Sequence, residues 1–182
     1  MNNQTFDFEL VDKFTPVTVV KNALKQIEVA TKGYVTGNIE PYSGHISSYT
    51  KKIGFAAAFD TLNRTETVEV DIQEDLGAQD TEQNRYEVFL SVKGLEHYKY
   101  RMMFVDYGTV SYPVRIVMNE DLAVEYSGKR KPVFDIHNMA NLEAMMEKII
   151  NCVTFISLVQ SLINESLRKE AEGQGAVEET SE

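Results

Sequence analysis

Apolar positions along the C-terminal third of the chain fall on two helical faces. Leu142, Met145, Met146, Ile149, Cys152, Val153, Ile156, Val159, Ile163 and Leu167 recur at helical spacing, and Phe155, Leu158 and Leu162 form a second stripe roughly opposite. A helix covering one side of a sheet needs a single apolar stripe. The spacing therefore predicts one long helix over 142–167, capped by Asn138 or Asn141. Its second face requires a further surface, from elsewhere in the chain or from another copy of it. At 1.5 Å per residue it would span roughly 40 Å, against about 17–20 Å for a typical strand. It is expected to overhang its own sheet or to kink near Asn151–Thr154.

Ahead of it, Thr15-Pro16 opens a second predicted helix over 16–30, with Thr as cap and Pro in the first turn. Val17, Val20, Leu24 and Ile27 follow at helical spacing, and Gly33 terminates it. Alternation of apolar and polar residues predicts strands elsewhere. Residues 5–12 alternate weakly, 66–72 strongly (Val68, Val70 and Ile72 against Glu69 and Asp71), and 86–93 again through Val88, Leu90 and Val92. Over 97–107, Tyr98, Tyr100, Met102 and Phe104 fall on one face, and His97, Lys99, Arg101 and Met103 on the other. Residues 112–118, 122–127 and 133–137 complete the strand candidates, the last two flanking a turn at Gly128–Pro132. The stretch from 34 to about 58 is punctuated by Gly37, Pro41 and Gly44 and gives no clear element.

Close spacing of these strands predicts an antiparallel meander of about four to six strands. The fold class is α+β, with the N-terminal helix and the long C-terminal helix packed on one face. Residues 1–169 form a single domain, and 170–182 an acidic tail expected to be disordered after Gly173 and Gly175.

Charge sharpens this picture. The 182 residues carry a formal charge of −10, with five Glu and no Lys or Arg between 170 and 182. An acidic body repels nucleic-acid phosphates unless its bases gather into one patch. The best such set is His97, Lys99, Arg101, Arg115, Lys129, Arg130 and Lys131, with Tyr98, Tyr100, Tyr107 and Tyr112 interleaved. That arrangement suits single-strand binding by stacking and charge. The aromatics along 97–104 fall opposite the bases, however, so that face is more simply core.

No chemistry-bearing motif is present. Glycine-rich phosphate loops, Gly-x-Ser-x-Gly, His-Glu-x-x-His and paired cysteines are absent. The segment Asp71–Glu82 resembles a calcium loop only in acidity, because Leu76 occupies the position that needs glycine. Asp135-x-His137 offers a pair without a third ligand or a nucleophile. Cys152, the sole cysteine, lies on the main apolar stripe and reads as a core thiol. No catalytic, cofactor-binding or metal-binding residue is assigned, and a non-enzymatic role is expected. The first fourteen residues lack a basic region followed by an apolar run, and no stretch reaches a membrane span. A cytoplasmic protein is expected.

The hairpin Glu69–Lys93 (EVDIQEDLGAQDTEQNRYEVFLSVK), with its long acidic loop, is similar to one in the SecB family of export chaperones, as is an acidic Gly/Glu-rich C-terminus. It covers about a seventh of the chain. The helix opening on an aromatic-Pro-Tyr motif, which should follow the sheet in that family, is not found. The resemblance bears on fold alone, and no residue role is transferred.

Together these features predict a non-catalytic protein-binding module: an adaptor, inhibitor or small SecB-like chaperone working as a homo-oligomer. Phe155, Leu158, Leu162, Ile156 and Val159 form its predicted interface. Glu69, Asp71, Glu74, Asp75, Asp80 and Glu82 are predicted to meet a partner with a basic surface. Single-stranded nucleic-acid binding is the alternative.

Overall fold

The computed structural model describes residues 10–44 and 83–178. Their elements run α1 (Pro16–Ala30), β1 (Val35–Pro41), β2 (Asn84–Val92), β3 (Leu95–Tyr107), β4 (Val114–Met118), α2 (Glu120–Ser127), β5 (Val133–Ile136), α3 (Met139–Ile150) and α4 (Val153–Glu178). The five strands form one antiparallel sheet in sequence order, which is the expected α+β meander. Among the described residues no helix is long and apolar enough to cross a membrane.

Helix α1 forms where its cap predicts. The Thr15 hydroxyl accepts from the Thr18 N–H and Pro16 sits in the first turn, where a missing N–H costs nothing. Val19, Val20, Ala23, Leu24 and Ile27 are buried against the sheet. β1, which the sequence left undefined, lies beneath them. A Cβ on Gly37 would stand 2.6 Å from Leu24 Cδ2 and 2.7 Å from its Cβ. Gly37 is therefore a site of close helix–strand approach and not a loop signal.

β2 is paired along both edges. Val35–Pro41 run antiparallel to Tyr86–Val92 on one side, and β3 occupies the other. Both neighbours of β2 are thus β1 and β3, and most of the hairpin that carries the chaperone resemblance lies outside the described residues. The predicted strands at 5–12 and 66–72, the candidate at 52–60 and the acidic set Glu69, Asp71, Glu74, Asp75, Asp80 and Glu82 lie wholly or largely outside the described residues.

A bulge in β3 changes which residues share a face. Val88 pairs with Met103 but Phe89 with Arg101, so Met102 is the extra residue. Its carbonyl accepts from the Asn119 N–H at 2.7 Å. Met102 and Met103 both enter the core, and Phe104 moves to the opposite face with Val117. Simple alternation puts Phe104 beside Tyr100, and the bulge overturns that.

Residues 122–127 form α2, not a strand. The Asn119 side chain accepts from the Asp121 N–H, and Gly128 ends the helix at φ 71°. Both are ordinary helix-boundary residues. They outweigh the strand reading because Leu122 and Ala123, adjacent in sequence, are both buried.

The predicted 142–167 helix is two helices. Asn151 caps α3, its side chain donating to the Glu147 carbonyl at 2.8 Å. Cys152 then starts α4, its Sγ accepting from the Phe155 N–H at 3.4 Å and its carbonyl from the Ile156 N–H at 3.0 Å. α4 continues past Gly173 and Gly175, the glycines at which the sequence predicts a stop. The core joins all four helices to one sheet face, through Leu24, Leu122, Leu142, Met145 and Phe155 among others.

Gly37→Val is expected to lower stability by about 1–3 kcal/mol through overpacking. Urea unfolding of Gly37→Val, Leu24→Ala and the double variant would check the contact: the double variant should lose less than the sum of the singles.

Candidate functional site

Three surfaces carry the chemistry-bearing residues: the outward side of α4, the sheet face opposite the helices, and a groove between α1 and α3.

On α4 the break at Asn151–Cys152 resets the helical phase. Phe155, Val159, Leu162 and Ser166 turn inward, and Phe155 is 2% exposed. The Ser166 hydroxyl donates to the Lys93 carbonyl at 2.5 Å in the β2–β3 turn. Glu170 pairs with Lys93 at 3.0 Å and accepts from the Tyr34 hydroxyl at 3.5 Å. At the other end the Thr154 hydroxyl bonds the Glu125 carboxylate. α4 is thus tied to α2 at its start and, beyond its middle, to the β2–β3 turn and the α1–β1 connection.

This placement rearranges the predicted interface. Phe155, Val159 and Leu162 are covered inside the chain, and Leu158 is half-buried against the core. The second stripe is the inward one. Ile156 alone of the five stands out at 54% exposed, with Val153 at 77% and Leu167 at 44%. Of the stripe continuing from α3, Val153, Ile156 and Leu167 have turned outward while Val159 is buried and Ile163 packs against the core, because two residues without helical phase separate the two helices.

The sheet face opposite the helices holds alternating charges. Arg85, Asp106, Arg115 and Asp135 occupy one row across β2 to β5. Arg85 Nε lies 3.5 Å from Asp106 Oδ1, and Arg115 Nε donates to Asp135 Oδ1 at 3.1 Å. Asp106 is 2% exposed, and Arg85 is its nearest cation among the described residues. Burial pushes its carboxyl above the usual range, and the Arg85 and Arg115 charges oppose that only in part. One row over, Glu87 accepts from Lys99 Nζ at 2.6 Å and from Arg101 Nε. Burial would raise the Glu87 carboxyl. The two hydrogen bonds and the two positive charges outweigh it and hold the group below the usual range.

The basic set therefore comes divided, four of its seven members each beside a carboxylate. Lys99 and Arg101 belong to Glu87, Arg115 belongs to Asp135, and Arg130 lies 3.8 Å from Glu120. His97, Lys129 and Lys131 are exposed. Phe89 and Phe104 share a face with the bases, Lys99 Nζ lying 3.8 Å from the Phe89 ring centre, yet both rings are buried and offer no surface for stacking. Tyr100 packs on the helical side, where burial pushes its hydroxyl up to about 12. Asp135 is bonded to Arg115, and His137 is exposed beyond the strand end. Among the described residues no three of His, Cys, Asp and Glu converge to hold a metal.

The groove between α1 and α3, about 360 Å³, escaped sequence reasoning because its residues come from helices more than a hundred positions apart. Val19, Ala23, Met146 and Ile150 form its floor. Asn22 and Gln26 face it from α1, and Glu143 and Glu147 from α3. The only signal in the sequence was the two four-residue spacings, which put each pair on one helix face.

No family model, curated protein or solved structure matches the chain.

Phe155→Ala is expected to cost about 3–5 kcal/mol, and Ile156→Ala no more than about 0.5 kcal/mol; urea unfolding of both distinguishes the inward from the outward stripe. Glu87 contributes stability that is present above its unfolded-state pKa and lost as pH falls through its lowered folded value. The stability gap between wild type and Glu87→Gln should therefore be widest at neutral pH and close in acid, as read by unfolding between pH 7 and 3.

Proposed function

We propose that this chain is a non-catalytic protein-binding module that works as a homo-oligomer, an adaptor or inhibitor in kind. The observation that supports it is the outward face of α4. Val153, Ile156 and Leu167 are exposed on a helix whose inward stripe is already satisfied by the core. Exposed apolar side chains aligned along one helix mark association surfaces more often than the same residues scattered singly.

An antiparallel two-fold pair of α4 helices would cover the strip. Val153 and Leu167 lie seven residues on either side of Gln160. In an antiparallel pair of α4 helices centred on Gln160, Val153 of one copy stands against Leu167 of the other. The contact would run about 21 Å along the helix at 1.5 Å per residue. Ile156 falls inside it, and Gln160 and Asn164, already hydrogen-bonded to each other at 3.2 Å, supply its polar centre.

The acidity of the chain favours partners with basic surfaces by charge complementarity. Nucleic-acid binding has less support, since Lys99, Arg101 and Arg115 already hold carboxylates.

Light scattering on a sizing column tests the reading. The wild-type chain should elute as a dimer, and Ile156→Glu as a folded monomer with unchanged unfolding behaviour. A monomeric wild type would overturn it, as would a dimer indifferent to both Ile156→Glu and Leu167→Glu.

A further inference from the structure

We propose that the outer edge of β1 takes an extended segment of a partner protein as an added strand. This rests on the reading of the chain as a protein-binding module and states how the partner is held.

The hydrogen-bond parity of β1 defines the site. At its two ends the Lys93 N–H donates to the Tyr34 carbonyl and the Tyr42 N–H to the Arg85 carbonyl, both at 2.9 Å. The register between these pairs is unbroken from Val35 to Pro41. Bonded and unbonded pairs alternate in an antiparallel ladder, so Thr36, Asn38 and Glu40 direct their backbone groups to β2. Val35, Gly37, Ile39 and Pro41 point theirs away from it. The Thr31 hydroxyl takes those of Val35, accepting from its N–H at 3.2 Å and donating to its carbonyl at 3.0 Å. Pro41 has no N–H. Between these two stops lies a window of two donors and two acceptors on Gly37 and Ile39, and neither residue bonds them to another described residue.

The opposite edge of the sheet is guarded and this one is not. β5 is four residues long and follows Pro132. The Met118 N–H donates to the Pro132 carbonyl at 2.8 Å, so the outward members of β5 are Val133 and the charged Asp135. Short length, proline and charge are devices that keep a strand edge from pairing. β1 is seven residues long and has no bulge, and its window holds only a glycine and an isoleucine. An unguarded edge of this kind is a template for another strand.

The occupant is a partner and not a second copy. Leu24 comes within 2.6 Å of the place a Cβ on Gly37 would take, so α1 lies over the edge strand itself. Two copies paired edge to edge would set their α1 helices on one sheet face, separated by one strand spacing of about 4.8 Å. Packed helices need about 8–10 Å. A lone extended segment carries no helix and meets no such conflict.

The faces of β1 also set the side-chain pattern of the segment. Partner residues opposite Gly37 and Ile39 fall on the helix side and suit valine. Those opposite Thr36 and Asn38 fall on the polar side and suit threonine, and the one opposite the exposed Glu40 suits lysine. Run antiparallel, the segment reads Lys-Val-Thr-Val-Thr.

The test uses the full-length chain and the peptide acetyl-Ser-Lys-Val-Thr-Val-Thr-Ser-amide in three forms: unmodified, N-methylated at both valines, and N-methylated at both threonines. The methylated forms share one charge and composition, but only the valine N–H groups face β1. Titration calorimetry reads affinity, and amide hydrogen exchange by NMR reads location. The unmodified peptide should bind and slow exchange at Gly37 and Ile39, leaving Thr36 and Asn38 unchanged. The threonine-methylated form should do the same, and the valine-methylated form should bind about tenfold more weakly through the loss of two bonds. Absence of binding by the unmodified peptide overturns the proposal, as does equal affinity of the two methylated forms or protection elsewhere than at Gly37 and Ile39. Concentration-dependent protection of these two amides in the free chain would assign the edge to a second copy and also overturn it. Ile156→Glu should leave peptide binding unchanged. A monomer that binds the peptide at β1 upholds the edge and overturns the α4 pairing, and a dimer that does not bind it does the reverse.

Discussion

A straight helix from Met139 to Glu178 would present its two apolar stripes in different directions, and the sheet could cover only one of them. Asn151 and Cys152 remove that conflict. They close α3 with a side-chain bond to the Glu147 carbonyl and open α4 with a thiol accepting from the Phe155 N–H. Each helix then needs only one inward stripe, Leu142, Met145, Met146 and Ile149 on α3 and Phe155, Val159 and Leu162 on α4. Everything downstream depends on this. The reset carries Ser166 to the Lys93 carbonyl and Glu170 to Lys93 itself, and it turns Val153, Ile156 and Leu167 outward. The same break leaves α3 free to lie along α1 and form the acceptor-rimmed groove.

The opposite sheet face follows a different rule. Two of its carboxylates, Glu87 and Asp106, are buried, and cations on adjoining strands meet their charges in place. Glu87 takes two cations, and Asp106 stands between two arginines as a buried acid. Buried ion pairs of this kind offset their own desolvation and add little beyond it. They also fix strand register, since each carboxylate has its cations on an adjoining strand. A one-residue slip would turn these charges toward the core.

The elements read most clearly from the sequence were those with strong local signals. Thr15-Pro16 and the spacing after it located α1. Alternation around Val88, Leu90 and Val92 located β2, and the α+β class and the β2–β3–β4 order followed from short connections. What escaped the sequence was set by contacts between distant segments. Gly37 resembled a loop because its need for glycine comes from Leu24 of another element. Phe104 was assigned to the wrong face because the bulge at Met102 is fixed by a bond from Asn119. The α4 stripes were identified as periodic patterns, but which of them faces inward depends on two residues of lost phase.

The sequence by itself determined the kinds of surface this protein has: amphipathic helices, an antiparallel sheet, an acidic balance and no motif of known chemistry. Periodicity and charge are local properties, and local spacing is enough to establish them. Only the tertiary structure decided which apolar residues are left outside, which bases keep a free charge, and that Asn22, Gln26, Glu143 and Glu147 meet over one groove. Those outcomes depend on where the chain returns to itself, and no window along the sequence contains both sides of such a contact.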